Sequence, residues 1–289
     1  MISSENLKSI DELDVIDMVM QNTCEIAVLS PTATYQFMLR FVYYCRSYSF
    51  LVARLAAVIG SSSLFRDPFA PFSHHAERSM DVAASVLKAG IEEFRDPKIR
   101  VSHRTMSYGL LDRLAEYAGL SEMETQRIAQ SQNWFHVILQ KVEEGYSANP
   151  QNLSSMVKAM GFHVGAETVG ARESAIIHRV IFSQQKDKEL GQFLRQHKLT
   201  FDGGQISPNY WVAVHGTEYS IGVEADHAED AVKALNQVVQ YTQATESQVI
   251  AWADEGFSHF NQTQLVFFQS LYTELQSKLQ LRNTLTVMK

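Results

Sequence analysis

Apolar residues recur along this chain every three to four positions, the period of an α-helix, and almost nowhere alternate as in a half-buried strand. The run 31–59 is apolar nearly all round, with Tyr35, Phe37, Met38, Phe41, Val42 and Tyr44 at helical spacing, which predicts a helix buried on every side. Ser30-Pro31 opens it, since proline is tolerated at the first helical position, and Gly60 can close it in a left-handed turn. Ser9 with Glu12, and Ser121 with Glu124, have the spacing of capping boxes, in which each side chain satisfies a free backbone N–H of the first turn.

Further helices are predicted over 74–88 (stopped at Gly90), 105–117 (closed by Gly119), 121–144, 149–183, 187–197, 209–241 and 246–281. Pro68 and Pro71 make 67–73 a loop, Asp96-Pro97 is a break, and Asp202-Gly203-Gly204 with Pro208 is another loop. Gly161, Gly165 and Gly170 in the long middle helix point to close helix–helix approach, and Gly216 or Gly222 can interrupt 209–241. Only 198–201 is ambiguous between strand and loop. The loops are short and no repeat or heptad seam occurs. The expected fold is all-α: a single helical domain over 1–289, with a bundle core at 31–241 and flanking helices at 1–30 and 242–289.

Composition narrows the class of protein. A 45% hydrophobic and 20% charged chain of 289 residues is that of a folded globule. The net charge of −7 and scattered Lys and Arg argue against nucleic acid or an anionic membrane as partner. Arg40, Arg46 and Arg54 interrupt the most apolar stretch, which argues against a membrane span. The polar start does not resemble a secretory signal, and the two cysteines, Cys24 and Cys45, form no CxxC, so a reducing cytoplasm is expected.

The candidate chemistry is carboxylate and imidazole on helices. Glu224 and His227, three apart, lie within about 60° of each other around a helix. His163 and Glu167, four apart, also share a face. Two helices that each offer such a pair are the raw material of an iron site in a helical bundle. The plainer reading stays open: a surface ion pair at 224/227, a satisfied core His163 and a solvated Glu167. Glu255 with His259 reads as surface, and Asp226, Glu229 and Asp230 as a polar outer face. No GxSxG, P-loop, dinucleotide fingerprint or HExxH occurs, and no histidine is assigned to activate Cys24 or Cys45.

The run from Ala159-Met160-Gly161-Phe162-His163 through Glu167 to Glu173-Ser174-Ala175-Ile176-Ile177, followed by Gly222-Val223-Glu224-Ala225-Asp226-His227-Ala228, resembles the haem-oxygenase-like superfamily. More narrowly it is similar to the TenA/PqqC-like branch, which includes non-haem diiron oxidases and oxygenases, over roughly 31–241. The resemblance implies a carboxylate and a histidine from an early helix, a glutamate from a middle one, and His-x3-Asp/Glu-x2-His from a late one. Glu167 matches the middle glutamate, and Glu224 and His227 the last two late positions. Ser220 stands at the first of these, where His215 can substitute if the chain breaks near Gly216 or Gly222. For the early pair, Asp67 and His74 have the right separation, although Asp67 precedes Pro68, and His75, Glu77 and Asp81 compete.

The implied metal set is therefore Glu167, Glu224, His227, His215, His74 and Glu77, holding one or two iron ions. The implied activity is an iron-dependent oxidase or oxygenase that uses dioxygen on a small-molecule substrate, with specialised metabolism as a setting that suits it, in a chain that can form a homodimer. Two alternatives remain. One is a metal-free TenA/PqqC-like enzyme on a heterocycle, with Glu167 or Glu224 as general base. The other is a non-catalytic helical binding protein. The iron reading requires the carboxylates of Glu167 and Glu224 to point into one cavity.

Overall fold

The computed structural model describes residues 1–130, 132–216 and 223–287; the side chains of Ala89, Glu92, 223–226 and 281–287 also fall outside the described residues. The helices are α1 (Leu13–Ala27), α2 (Pro31–Cys45), α3 (Tyr48–Gly60), α4 (Ser73–Ala76), α5 (Ser79–Phe94), α6 (His103–Tyr117) and α7 (Glu122–Ala129). They continue with α8 (Asn133–Gly145), α9 (Leu153–Ile177), α10 (Glu189–Gln196), α11 (Tyr210–Gly216), α12 (Val223–Tyr241) and α13 (Glu246–Val287). A small antiparallel hairpin, β1 (Leu199–Phe201) with β2 (Gly204–Ile206), occupies the ambiguous patch near residue 200. The fold is all-α.

Local signals set many of the helix ends. Ser30 accepts from the Ala33 backbone N–H with Pro31 at the first helical position, and Ser102 and Asn152 cap α6 and α9 in the same way. Ser121 and Glu124 complete a capping box on α7, and Gly119 takes a left-handed φ of 62° after α6. Ser9 does not cap. Its backbone N–H and hydroxyl both donate to the Asp254 carboxylate on α13, and α1 begins only at Leu13.

Other boundaries are set by packing. The apolar run 31–59 is two helices, separated at Arg46-Ser47, where the Arg46 carbonyl accepts from the Arg104 guanidinium. The expected helix 74–88 is a single turn, α4, followed by α5, which runs through Gly90 to Phe94. Gly90 is a packing residue, since a Cβ there would lie 3.2 Å from Val52 on α3. The real stop is Asp96, whose carboxylate takes the backbone N–H groups of Lys98 and Ile99. The run 121–144 breaks at Gln130, which leaves helical geometry and offers its carbonyl to Arg40. The last turns of the long middle helix, His178–Ser183, are π-helical.

The buried residues form one apolar cluster from Ile2 to Leu275. At its centre α9 packs along α13, and also against α12, α11 and α1. The α9–α13 crossing is so close that both sides need glycine. A Cβ on Gly161 would lie 2.6 Å from Ala253 Cα, and one on Gly256 would lie 2.7 Å from the Phe162 nitrogen. Around this axis α5 packs on α3 and α12, and α6 packs on α2. Asp230 sits in that arrangement rather than on an outer face: it is buried and paired with Lys88 of α5 at 2.7 Å. Among the described residues, no helix is long and apolar enough to cross a membrane.

Candidate metal centre

The final turn of α5, the first of α6 and the last of α11 bring three donors together. His103 Nδ1 lies 2.7 Å from Glu93 Oε1, and His215 Nε2 lies 3.2 Å from the same oxygen. The two imidazoles meet edge to face, with centroids 4.7 Å apart. One donor atom from each of Glu93, His103 and His215 lies within 4.8 Å of the others, a spacing that a single cation can bridge.

Each side chain is placed by its element. Extension of α5 past Gly90 delivers Glu93, and the Ser102 cap starts α6 with His103. Gly216 allows α11 to rest on the α9 backbone, where a Cβ would lie 2.6 Å from the Ala175 nitrogen, and so seats His215. His215 Nδ1 faces the Trp211 carbonyl at 2.6 Å, which directs a proton there and turns Nε2 towards Glu93. His103 Nε2 lies 3.7 Å from Asp96 Oδ2, so a carboxylate flanks each side of this ring. Burial alone would raise the Glu93 carboxyl. The opposing pull of His103 foremost, and of His215, outweighs it and holds Glu93 well below the usual carboxylate range.

A second carboxylate–imidazole group comes from α9 and α12. Glu167 stands between His163, whose Nδ1 is 3.3 Å from Oε1, and His227, whose Nδ1 is 3.5 Å from Oε2. The Tyr146 hydroxyl lies 3.2 Å from His163 Nδ1. Both histidines are buried.

The two groups face one cavity of ≈ 90 Å³, lined by Glu93, Glu167, Glu173, His215 and His227 among others. Of the residues singled out in the sequence, Glu167, His227 and His215 therefore converge. The Glu224 side chain and all of Ser220 lie outside the described residues, so the expected meeting of Glu167 with Glu224 does too. His74 and Glu77 do not line this cavity. His74 is exposed on α4 and packs on Phe72 and His75. Glu77 bridges to Arg66 through its backbone and accepts the Ser79 N–H. Asp67 and Asp81 both pair with Arg78. The prolines of 67–73 keep this stretch from forming the long helix that an early ligand pair needs.

Glu93 and His103 escaped the sequence reading. They belong to different helices across the Asp96-Pro97 turn, so no helical spacing relates them, and a helix ended at Gly90 would leave Glu93 in a loop. The usable signal is the turn itself, which places the end of one helix beside the start of the next. Cys45 lines the cavity, whereas Cys24 is sealed in the core, where burial pushes its thiol well above the ordinary range.

No protein-family model matches the chain, and no curated protein matches it. Among solved structures it is similar to a TenA homolog from Pseudomonas syringae pv. tomato, with a TM-score of 0.55 and 10% identity over 91% of each chain. It is also similar to a CADD-like protein of unknown function from Nostoc punctiforme, with a TM-score of 0.51 and 13% identity over 94% of this chain and 97% of that one. At such identities the likeness is one of fold, and the chain adopts the all-helical, haem-oxygenase-like fold.

Proposed function

We propose that the cavity between α5, α9, α11 and α12 holds iron, and that the protein is a non-haem iron oxidase or oxygenase using dioxygen on a small molecule. The observation that carries this reading is the convergence of Glu93, His103 and His215, whose donor atoms lie within 4.8 Å of one another. Carboxylate oxygen and imidazole nitrogen suit ferrous iron, and three such donors leave coordination positions open. Glu93, His103 and His215 would hold one ion. Glu167 and His227, with Glu224 one helical turn earlier in sequence, would hold the second. Ferrous iron held there would supply part of the electrons that reduce dioxygen, the rest coming from the C–H or C–N bond of the substrate that is oxidised.

The chain's own groups prepare the site. The Trp211 carbonyl fixes the His215 proton on Nδ1, and the Asp96 carboxylate, 3.7 Å from His103 Nε2, favours a proton on that nitrogen and so leaves Nδ1 to face the site. Phe41, Val52, Trp211 and Phe260 line the cavity and exclude water from the reacting groups. The same reading takes 1–289 as one helical domain working in the cytoplasm.

A metal-free alternative has one observation in its favour. Glu167 opens on the cavity between two imidazoles, a setting suited to a general base for a heterocyclic substrate. One experiment separates the readings. Ferrous iron is added without oxygen, the bound metal is counted by elemental analysis, and oxygen is then admitted while visible absorption is followed. Two irons per chain with a transient band support the diiron oxidase. One iron supports a mononuclear version. Absence of specific iron, with binding of a heterocycle, favours acid–base chemistry and overturns the iron reading.

A further inference from the structure

Helix α5 is apolar on its solvent side as well as on its core side. Val82, Ala83 and Val86 turn into the core, whereas Met80, Ile91 and Phe94 are 65%, 56% and 52% exposed. Exposed Ala84 and half-buried Leu87 fill the positions between them. These five residues recur in steps of three and four, so they form one stripe about 21 Å long, spread over about 80° of the helix surface. Helix α3 lies antiparallel beside it: a Cβ on Gly60 would meet Met80 and Ala83, and one on Gly90 would meet Val52 and the Ser49 carbonyl. Phe50, 44% exposed between Ser49 and Val52, therefore widens the stripe at its Ile91–Phe94 end, as exposed Ala57 does along the middle.

A half-exposed phenylalanine presents roughly 100 Å², so Phe50, Met80, Ile91 and Phe94 together offer on the order of 400 Å² of apolar surface. That is the size at which an exposed patch marks an interaction site, and about half of the ~800 Å² per partner that a stable interface buries. The charges beside it are self-complementary. Asp81 and Arg95, both exposed, stand fourteen residues apart at opposite ends of the stripe, within about 40° of each other around the axis. A second α5 reversed by a two-fold axis brings Asp81 to Arg95 twice over, whereas a parallel one sets like charges together. The same reversal turns Met80 towards Phe94 of the copy and the small Ala84 towards Ile91, with Leu87 near the axis. The Asp81–Arg78 contact, at 3.5 Å near the surface, is too weak to hold Asp81 back.

We propose that a second copy of this chain docks on the outer face of α3 and α5, with the two α5 helices antiparallel across a two-fold axis. An anionic membrane suits this face poorly, because the chain carries a net charge of −7. Ile91 and Phe94 flank Glu93 in sequence, so the end of α5 that the copy covers is the one that delivers Glu93 to the cavity. The proposal stands whether or not the cavity takes iron.

The test is sedimentation velocity of the full chain at about 1 µM and about 100 µM, a range that brackets an ordinary dimer Kd. A species of twice the chain mass is expected to grow with concentration. Ile91→Lys is expected to weaken it at least roughly a hundredfold, since the change is made twice in a symmetric interface. Asp81→Arg and Arg95→Asp should each weaken it by about tenfold, and the two combined should restore it. A chain that stays monomeric throughout, a dimer indifferent to Ile91→Lys, or a charge swap that does not rescue overturns the proposal. The native chain locates the face without any variant, even if Ile91→Lys does not fold. Under dilute peroxide, Met80 should oxidise more slowly at the higher concentration than at the lower, while exposed Met123 of α7 keeps one rate at both. Equal behaviour of Met80 and Met123 where the dimer prevails moves the interface elsewhere and overturns the assignment.

Discussion

Replacing Gly161 by alanine tests how the central helix pair is held. A methyl group at that position falls 2.6 Å from both Ala253 Cα and the Ala253 carbonyl carbon. Carbon atoms in contact settle at about 3.5–4.0 Å, so α9 and α13 must part by roughly 1 Å. The obstruction is backbone, which cannot rotate away as the tip of a side chain could. Alanine recovers about 1 kcal/mol of helix propensity over glycine. Overpacking a tight core costs about 1–3 kcal/mol and sometimes more, and a backbone-to-backbone crossing belongs at the upper end. The expected net loss is roughly 2 kcal/mol, which at about 2.1 cal/mol/K of unfolding entropy per residue lowers Tm by roughly 3 °C for a chain of this size. Far-UV circular dichroism during heating, with a urea titration beside it, measures both quantities. A Gly161→Ala chain that melts at or above the native temperature would refute the account of the crossing.

Further outcomes follow from the site and the core. Glu93→Gln is expected to lose at least one ferrous ion per chain in anaerobic loading followed by elemental analysis; unchanged stoichiometry removes Glu93 from the centre. The folded state holds the Glu93 carboxyl below its unfolded value, so its contribution to stability is complete above the ordinary glutamate pKa of about 4.3 and fades as pH falls below it. Denaturant midpoints measured from pH 6 to pH 3 should therefore decline less steeply in Glu93→Gln than in the native chain. Arg40 is fully buried against Glu274 at 2.9 Å, with Gln36 also donating to that carboxylate. Glu274→Leu strands the guanidinium and should cost about 3–5 kcal/mol, read from the urea midpoint. A loss under 1 kcal/mol there would show that solvent or Gln130 already satisfies the arginine.

What the sequence discloses here divides by range of interaction. Ser30, Ser121 and Gly119 act within a few residues of themselves, so the ends they set were readable directly. The helical class was readable because the apolar period recurs in every long segment. Gly90 misleads because a glycine in a helix can mean either a stop or a close neighbour, and only the position of Val52 decides. Arg46-Ser47 and Gln130 break helices through partners 58 and 90 residues away, which no local pattern encodes. The site divides in the same way. His163 and Glu167 share a face by spacing alone, but the arrival of His227 at the same carboxylate depends on how α12 packs on α9. Glu93, His103 and His215 have no spacing in common, because three separate helix ends deliver them.

The ring of donors around the cavity is drawn from residues 93 to 227, on helices that already pack on one another around it. Any occupant that grips both carboxylate–imidazole groups thus acts as a rivet through the middle of the fold. Mass action then ties cohesion to occupancy: an occupant at one hundred times its Kd adds about 2.7 kcal/mol against unfolding. Cells short of that occupant would hold a looser chain, more open to proteolysis, so its abundance would follow the supply of what it binds.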